Sequence, residues 1–475
     1  MLVVKFGGSI LNGSEGLCRA CAEVENLPRP LLLVVSAFAD VTNRLEDVAK
    51  TALSDRVGAE RKIDALFEEH RKIAEGTLSV ENVSRWEAET EEWREQIGRI
   101  IEGLSIVGEL SPRTLDLMVH FGERLSSSLV AGRLGVPVVS ATDLLITDNN
   151  HRYARVDLDL SRERVLRTFE PLLQSDRKPD PGEDGQAKRE GRETGEGNVE
   201  IAPPLRQVAR EVADVIVTEG YIARGKDGEI TTMGRESSDF SAALFGEFLH
   251  ASEVRIYTGV PGIMTADPGV VPEAQTISRM SYAMAREIAS LGAKVIHPRT
   301  VRPVERAGIP LVFNDLNGAR TVIGGQESGG GLSITAESNA SLLTFRLARA
   351  DADLSSLLDR LMRSVPVIRT ARAGRTMRVL LSVPLADPER LVRQEEMEGM
   401  ILESEAIPVA LLSCVREGGI GGEEAVEFLK AIGSVPLLSL WSDSTERSIS
   451  ALVHPDQASD IVRALHRQYV SRGVE

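Results

Sequence analysis

The first eleven residues, MLVVKFGGSIL, restrict the chain more than any other stretch. An apolar run, Leu2 to Val4, reads as a buried β-strand, and after Lys5 the glycines of Gly7-Gly8-Ser9 let the backbone turn and bring its N–H groups up to an anion. A buried strand that ends in such a turn is the edge of a phosphate cradle, and the ammonium of Lys5 is a point charge beside it for a phosphoryl group in transfer. A strand with an edge lysine and a tight turn accounts for the same residues without any ligand. The decision rests on the rest of the chain.

Pro30 to Phe38 reads as a second strand, closing on Ser36 and a polar turn from Asp40 to Asn43. Small hydroxylated residues at the carboxyl end of a parallel strand sit where open α/β sheets bind ligands, so Ser36 and Thr42 are candidate substrate contacts, with turn capping as the alternative. From about Arg44 to Leu134 apolar residues recur at helical spacing among dense charge, with Trp86 and Trp93 inside the stretch. Phe121-Gly122-Glu123-Arg124 is placed at the start of a helix, where a carboxylate commonly only complements the dipole. Gly135 to Ser140 reads as a short strand. Between Ser175 and Asn198 almost no apolar residue occurs, which predicts a solvated insertion.

Val212 to Val217 is a further buried strand, after which Thr231 to Ser241 (TTMGRESSDFS) opens a helix. There Arg235 can grip a carboxylate through two parallel hydrogen bonds, and Asp239 can orient a lysine. A strand at Val254 to Tyr257 leads into the turn-rich segment Thr258 to Pro268, of the kind that wraps a nucleotide base and ribose. A helix from Ser281 to Ser290 follows, then Lys294 as a second cation, and His297, read as a satisfied core histidine.

Composition limits the partners. A net charge of −16, a pI near 5.1 and a mean hydropathy of −0.09 describe a globular chain with no attraction to nucleic acid or anionic membrane. No apolar run is long enough to span a bilayer and Met1 leads straight into a strand, so the expected location is the cytoplasm. Cys18, Cys21 and Cys414 are too few for a disulfide framework, Cys18 and Cys21 reading as thiols of the first helix, and no metal site made by the protein alone is expected.

The blocks VVKFGGS at 3–9, VSAFADVTNRL at 35–45, FGERLSS at 121–127, TTMGRESSDFSA at 231–242, and IYTGVPGIMTADPGVVPEA with LGAKVIHPRT at 256–274 and 291–300 occur in an order that resembles the amino acid kinase fold, specifically the aspartokinases. The resemblance covers residues 2 to about 315 and implies a three-layer α/β fold with a mostly parallel central sheet. It implies that Mg-ATP phosphorylates the β-carboxylate of L-aspartate to 4-phospho-L-aspartate, the first step toward lysine, threonine and methionine. Carried over by position, Lys5 and Lys294 neutralise the phosphoryl group and Asp239 positions the lysines. Gly7, Gly8 and Ser9 cradle phosphates, and Thr258, Gly262, Asp267 and Lys294 meet the nucleotide. Ser36, Thr42, Glu123, Arg235 and Ser238 hold aspartate, Glu123 facing its ammonium and Arg235 a carboxylate. An acceptor that is already anionic needs charge neutralisation and alignment more than a strong base.

Several positions depart from the family pattern: Gly259 for aspartate, Met264 for tyrosine, Gly269 for arginine, and Ser237 and Asp40 for glycine. Losing one charge-assisted hydrogen bond costs roughly 1.5–3 kcal/mol, which predicts ATP binding about ten- to a hundredfold weaker.

After the kinase part, expected over 1–323, glycines at 324–331 form a linker, and the tail repeats itself. LLDRLMRSVPVI from Leu357 is echoed by AVEFLKAIGSVPLL from Ala425, and each copy continues into a strand and a helix. That order fits two ferredoxin-like βαββαβ units, about 332–400 and 401–475. Such units resemble paired ACT domains, which implies an amino-acid effector, lysine or threonine, near Asp351 to Ser355, and edge-to-edge homodimers. Two other readings stand beside the aspartate kinase. One is a kinase for another small acid such as an acetylated glutamate. The other is a catalytically silent amino-acid sensor, against which Lys5, Asp239 and Lys294 argue.

Overall fold

The computed structural model describes residues 1–175, 214–234, 237–293, 295–325, 331–365, 367–383, 399–442 and 447–470. Arg235, Lys294 and nearly all of the polar insertion lie outside the described residues. Two compact units divide the chain, residues 1–259 and 260–475.

The first unit runs β1 (Leu2–Phe6), α1 (Gly13–Glu25), β2 (Leu31–Val35), α2 (Val41–Ala52), α3 (Arg56–Thr77), α4 (Val80–Val107), α5 (Pro112–Leu134), α6 (Ala141–Leu144), β3 (Ile146–Thr147) and α7 (Leu158–Ser175). It resumes with β4 (Val215–Glu219), β5 (Ile222–Gly225), β6 (Ile230–Thr232), α8 (Ser237–Phe248) and β7 (Glu253–Tyr257). Its main sheet has the order β4-β2-β1-β7, all parallel. Helices cover such a sheet on both faces, so its strands read as continuous apolar runs; β2 and β4 are buried throughout, and β1 is buried except at Lys5. A small sheet, β3-β5-β6, stands apart.

The sequence places the helices well where caps are explicit. Ser111 caps α5 by accepting the Thr114 N–H, with Pro112 in the first turn and Gly135 at φ +67° ending it. Asp40, where the family pattern that the sequence resembles calls for glycine, has φ +65° at the start of α2, a conformation aspartate tolerates, and its Oδ1 accepts from Asn43. Two local expectations change. Gly135 to Ser140 is not a strand: Val138 makes a single parallel bridge to Val217, because Pro137 has no N–H to extend the ladder. Glu123 is not at a helix start but deep inside α5, past three turns of helix, so the macrodipole does not explain it.

The second unit contains β8 (Arg279–Ser281), α9 (Tyr282–Ser290), α10 (Pro298–Ala307), β9 (Leu311–Asn314) and β10 (Arg320–Gly324). β10 lies antiparallel to β9 and parallel to β8. His297 is half-buried, and its Nδ1 accepts the Arg299 N–H as the N-cap of α10; it is a cap, not a core histidine. Then come β11 (Leu332–Leu347), α11 (Ser355–Ser364), β12 (Val367–Ala373), β13 (Thr376–Leu381), β14 (Ile401–Arg416), α12 (Gly422–Ile432), β15 (Ser439–Ser442), β16 (Ser448–Val453) and α13 (Pro455–Val470). They form an antiparallel sheet of order β12-β13-β11-β14-β16-β15. β11 and β14 pair along their lengths, from Leu332 opposite Arg416 to Leu347 opposite Ile401, with a bulge between Glu337 and Ala340. One end of this ribbon packs with α12 and α13 and the other with α11, in separate apolar cores. The two ferredoxin-like modules therefore share both long strands rather than meeting at a boundary near residue 400.

Candidate active site

At the carboxyl end of β1 the chain turns at once. Ile10 N–H donates to Gly7 O (3.0 Å), closing a tight turn whose central N–H groups, on Gly8 and Ser9, take no backbone acceptor among the described residues. Gly7 N–H donates to Tyr257 O (3.1 Å) at the end of β7. A Cβ on Gly8 would stand 2.6 Å from Ala37 O, so only glycine lets the β1 turn lie against the β2 turn. Two free amides at a strand end form an anion nest.

Lys5 reaches this turn. A Cβ on Gly7 would lie 3.3 Å from Lys5 Nζ, and that nitrogen pairs with Asp239 Oδ1 at 2.5 Å, both side chains being largely buried. Asp239 stands in the first turn of α8, whose neighbour Ser238 is buried against Gly220; a Cβ on Gly220 would be 2.5 Å from that of Ser238. Ser237 is buried, and its hydroxyl donates to Met233 O (2.8 Å), so this departure from glycine is absorbed locally. At Gly259, one of the departures from the resembled pattern, the N–H donates to Ser9 Oγ (3.2 Å) and a Cβ would lie 3.1 Å from that oxygen.

Glu123 faces the same region from α5. Gly122 lets α5 approach α2 closely, since a Cβ there would meet Ala37 Cβ at 3.1 Å and Val41 Cγ1 at 3.3 Å. The Glu123 carboxylate is 3 % exposed; Oε1 accepts the Ala37 N–H at 3.4 Å, and Oε2 is buried without a partner. Burial pushes its pKa up to about 8, with a further push from Glu219 and an opposing pull from Lys5. An orphaned, buried carboxylate oxygen is costly unless a cation completes it. Ser36, half-buried, directly precedes Ala37, and Thr42 lies half-buried in the first turn of α2.

Three supports escaped sequence reasoning. Glu219, at the carboxyl end of β4, is buried, accepts the Ala141 N–H (2.6 Å), and has its pKa raised by burial. Tyr221, two residues on, has φ +66° and a phenol whose pKa burial raises. Asp116 is fully buried in α5 and accepts from His151 Nδ1 (3.0 Å), the N–H groups of Arg152 (3.0 Å) and Thr232 (3.1 Å), and the Thr232 hydroxyl (2.6 Å). The position of Glu219 just past an apolar strand was a readable signal; Asp116 offered none.

In the second unit, Gly262 has φ +96°, and a Cβ would meet Thr321 Oγ1 at 2.6 Å, so its own backbone and packing require glycine. Asp267 Oδ1 accepts the Gly269 N–H (2.9 Å) in a local turn. Met264, Ala266 and Asp267 line an apolar slot of about 170 Å³ that also touches Ile288 and residues 333–336 of β11. Thr258, half-buried, follows β7 in the first unit. In the loop read as an effector contact Asp351, Asp353 and Ser355 are exposed, with Asp351 paired to Arg349 (2.8 Å) and Asp353 accepting the Ser355 N–H (2.9 Å), while Leu354 is buried.

At its carboxyl edge the parallel sheet carries an anion nest, a lysine–aspartate pair and an unpartnered buried carboxylate, an arrangement with the chemistry to hold a phosphate and a small cation, and the chain belongs to the amino acid kinase family, which matches residues 1–315. Within that family it is similar to the aspartokinase of Chlamydia pneumoniae, 29% identical over 65% of this chain and 59% of that one. It is similar also to the lysine-sensitive aspartokinase 3 of Escherichia coli K12, 31% identical over 66% and 60%. The match thus spans about three-fifths of the length of these relatives. In fold it follows a crystal structure of E. coli aspartokinase III in complex with aspartate and ADP, with a TM-score of 0.78, 24% identity, and coverage of 98% of this chain and 99% of the other.

Proposed function

We propose that this chain is an aspartate kinase, transferring the γ-phosphoryl group of Mg-ATP to the β-carboxylate of L-aspartate. The observation that carries the reading is the buried, unpartnered oxygen of Glu123, a site for the substrate ammonium, in the unit that also holds the Lys5–Asp239 pair and the free N–H groups of Gly8 and Ser9. A carboxylate oxygen attacks the γ-phosphorus as the bond to ADP breaks, and no proton has to move. Lys5, held by Asp239, offsets the charge on the phosphoryl oxygens while the nest amides bind them. Lys294 and Arg235 take the roles of second cation and carboxylate grip. Ser36, Thr42 and Ser238 complete the aspartate contacts, and Thr258, Gly262 and Asp267 those of the nucleotide.

Mg²⁺ enters as part of the nucleotide substrate, bridging its phosphate oxygens. The similarity to a lysine-sensitive relative favours lysine over threonine as the effector of the ACT modules. A cytoplasmic homodimer joined through these modules is the form in which the enzyme works.

The test is ADP release by the purified protein with Mg-ATP and L-aspartate, with Lys5→Ala as the blank. Aspartate-dependent turnover that falls at least a hundredfold in the variant is expected. A wild-type protein that binds aspartate by calorimetry yet releases no ADP would replace this reading with the sensor one. Lysine added to the same assay identifies the effector.

A further inference from the structure

Residues 263–277, which overlap the segment Thr258 to Pro268 read as the nucleotide contact, fold as a short hairpin. Thr265 N–H donates to Gln275 O (2.8 Å), Ile277 N–H to Ile263 O (2.8 Å), and Met264 bridges Thr276. This hairpin is built into the C-terminal module of its own unit. Ile334 N–H of β11 donates to Thr265 O (2.8 Å), and Ser333 Oγ donates to Met264 O (3.0 Å). Ala266 and Val271 belong to the same apolar core as Phe428 of α12 and Ile461 and Leu465 of α13.

At the centre of the hairpin sits one polar side chain. Thr265 is 5 % exposed; its Oγ1 accepts the Gln275 N–H (2.9 Å) and lies 3.0 Å from Nε2 of His466, itself 4 % exposed on α13. The pair spans 201 residues of chain. Thr265 is flanked by Met264 and Ala266, which line the apolar slot of about 170 Å³. A shift of the Thr265 side chain therefore moves the wall of that slot.

We infer that His466 is a positioning residue for nucleotide binding, holding the Met264–Asp267 backbone in register through its hydrogen bond to Thr265. The inference rests on the nucleotide reading of this segment given above and adds a residue from the last helix of the regulatory module to it. Movement of α13, which also meets the hairpin through Arg463 and the apolar core, reaches the Met264–Asp267 backbone most directly at Thr265.

The experiment measures Mg-ATP affinity of the full chain, by calorimetry and as KM, for wild type, His466→Ala, His466→Gln and Thr265→Val, with thermal melts of each. His466→Ala is expected to weaken Mg-ATP about five- to tenfold, the size of one neutral hydrogen bond. The KM for aspartate and kcat at saturating nucleotide should stay within about twofold, because the contact does not reach the aspartate side. The glutamine variant, which can still bond Thr265, should recover most of the affinity. Thr265→Val should cost at least as much as His466→Ala, because it also removes the acceptor of the Gln275 N–H, and the double variant no more than Thr265→Val alone, since the His466 bond is already lost there. A His466→Ala protein with unchanged Mg-ATP affinity, or with equal losses for both substrates and no recovery by glutamine, overturns the inference. If His466→Ala does not fold, the glutamine variant and Thr265→Val carry the same comparison. Wild-type protein that binds no Mg-ATP removes the nucleotide reading itself, and is distinguished because it is measured before any variant.

Discussion

Glu123 is an acid held where its charge is disfavoured. Its pKa rises from the ordinary 4.5 to about 8. A proton that stays on in the folded state stabilises it, so this contribution is complete below the unfolded pKa and is lost as pH rises through about 8. Glu123→Gln keeps the shape without the charge. The variant is expected to be more stable than wild type by about 4–5 kcal/mol near pH 9, with most of the gain gone near pH 5, as read by urea unfolding at both values. The same variant should lose ~10- to 100-fold in kcat/KM for aspartate, one charge-assisted hydrogen bond. An ammonium seated on Oε2 draws the pKa back down, so aspartate binding near pH 7 should release a proton. Calorimetry in buffers of differing ionisation enthalpy measures that proton directly, and a buffer-independent binding enthalpy would refute it. Thiols show burial acting in the same direction: the pKa values of Cys21 and Cys414 are pushed up to about 12, and both should resist thiol reagents until the protein unfolds.

At the scale of elements, α5 is the part on which the first unit's site depends. One stretch of it sets Gly122 against α2, Glu123 toward Ala37, and Asp116 toward β6 and the turn at 151–152. Asp116→Ala strands the Thr232 and Arg152 N–H groups in the interior and is expected to cost about 3–5 kcal/mol in chemical unfolding. Asp116→Asn, which still accepts on one oxygen, should cost less. Gly122→Val has no room beside Ala37 and Val41. It should separate α5 from α2 and raise the KM for aspartate more than that for ATP, because the displaced group is Glu123. Loops and caps of these elements were largely legible from local chemistry: Asp40 in a left-handed turn, Ser111 with Pro112, and Gly7-Gly8-Ser9 after an apolar strand each carry their reason in adjacent residues. Glu123 was misplaced at a helix start because a carboxylate in a polar run looks alike at either depth, and only packing distinguishes them.

At the largest scale, the hairpin at 263–277 and the C-terminal module share one core. Ala266 and Val271 pack with Phe428, Ile449 and Leu465, so a chain ended after Gly325 would leave that apolar face uncovered. Such a truncation is expected to melt at lower temperature and to aggregate, as followed by light scattering during a thermal ramp, whereas a self-contained kinase part would melt as the full chain does. The repeat in the tail announced two similar modules, yet not that β11 and β14 run through both, since register along a long ribbon is chosen by pairing and not by composition. The buried parallel strands, their glycine turns and the lysine beside them could be read from the chain alone, because each is a local pattern of apolar run, small residue and charge. The burial of Glu123 and Asp116, the sharing of the long strands and the contact of Thr265 with His466 appeared only in the tertiary structure. They join residues far apart in the chain, and such partners are selected by which polar groups the fold leaves in need of one.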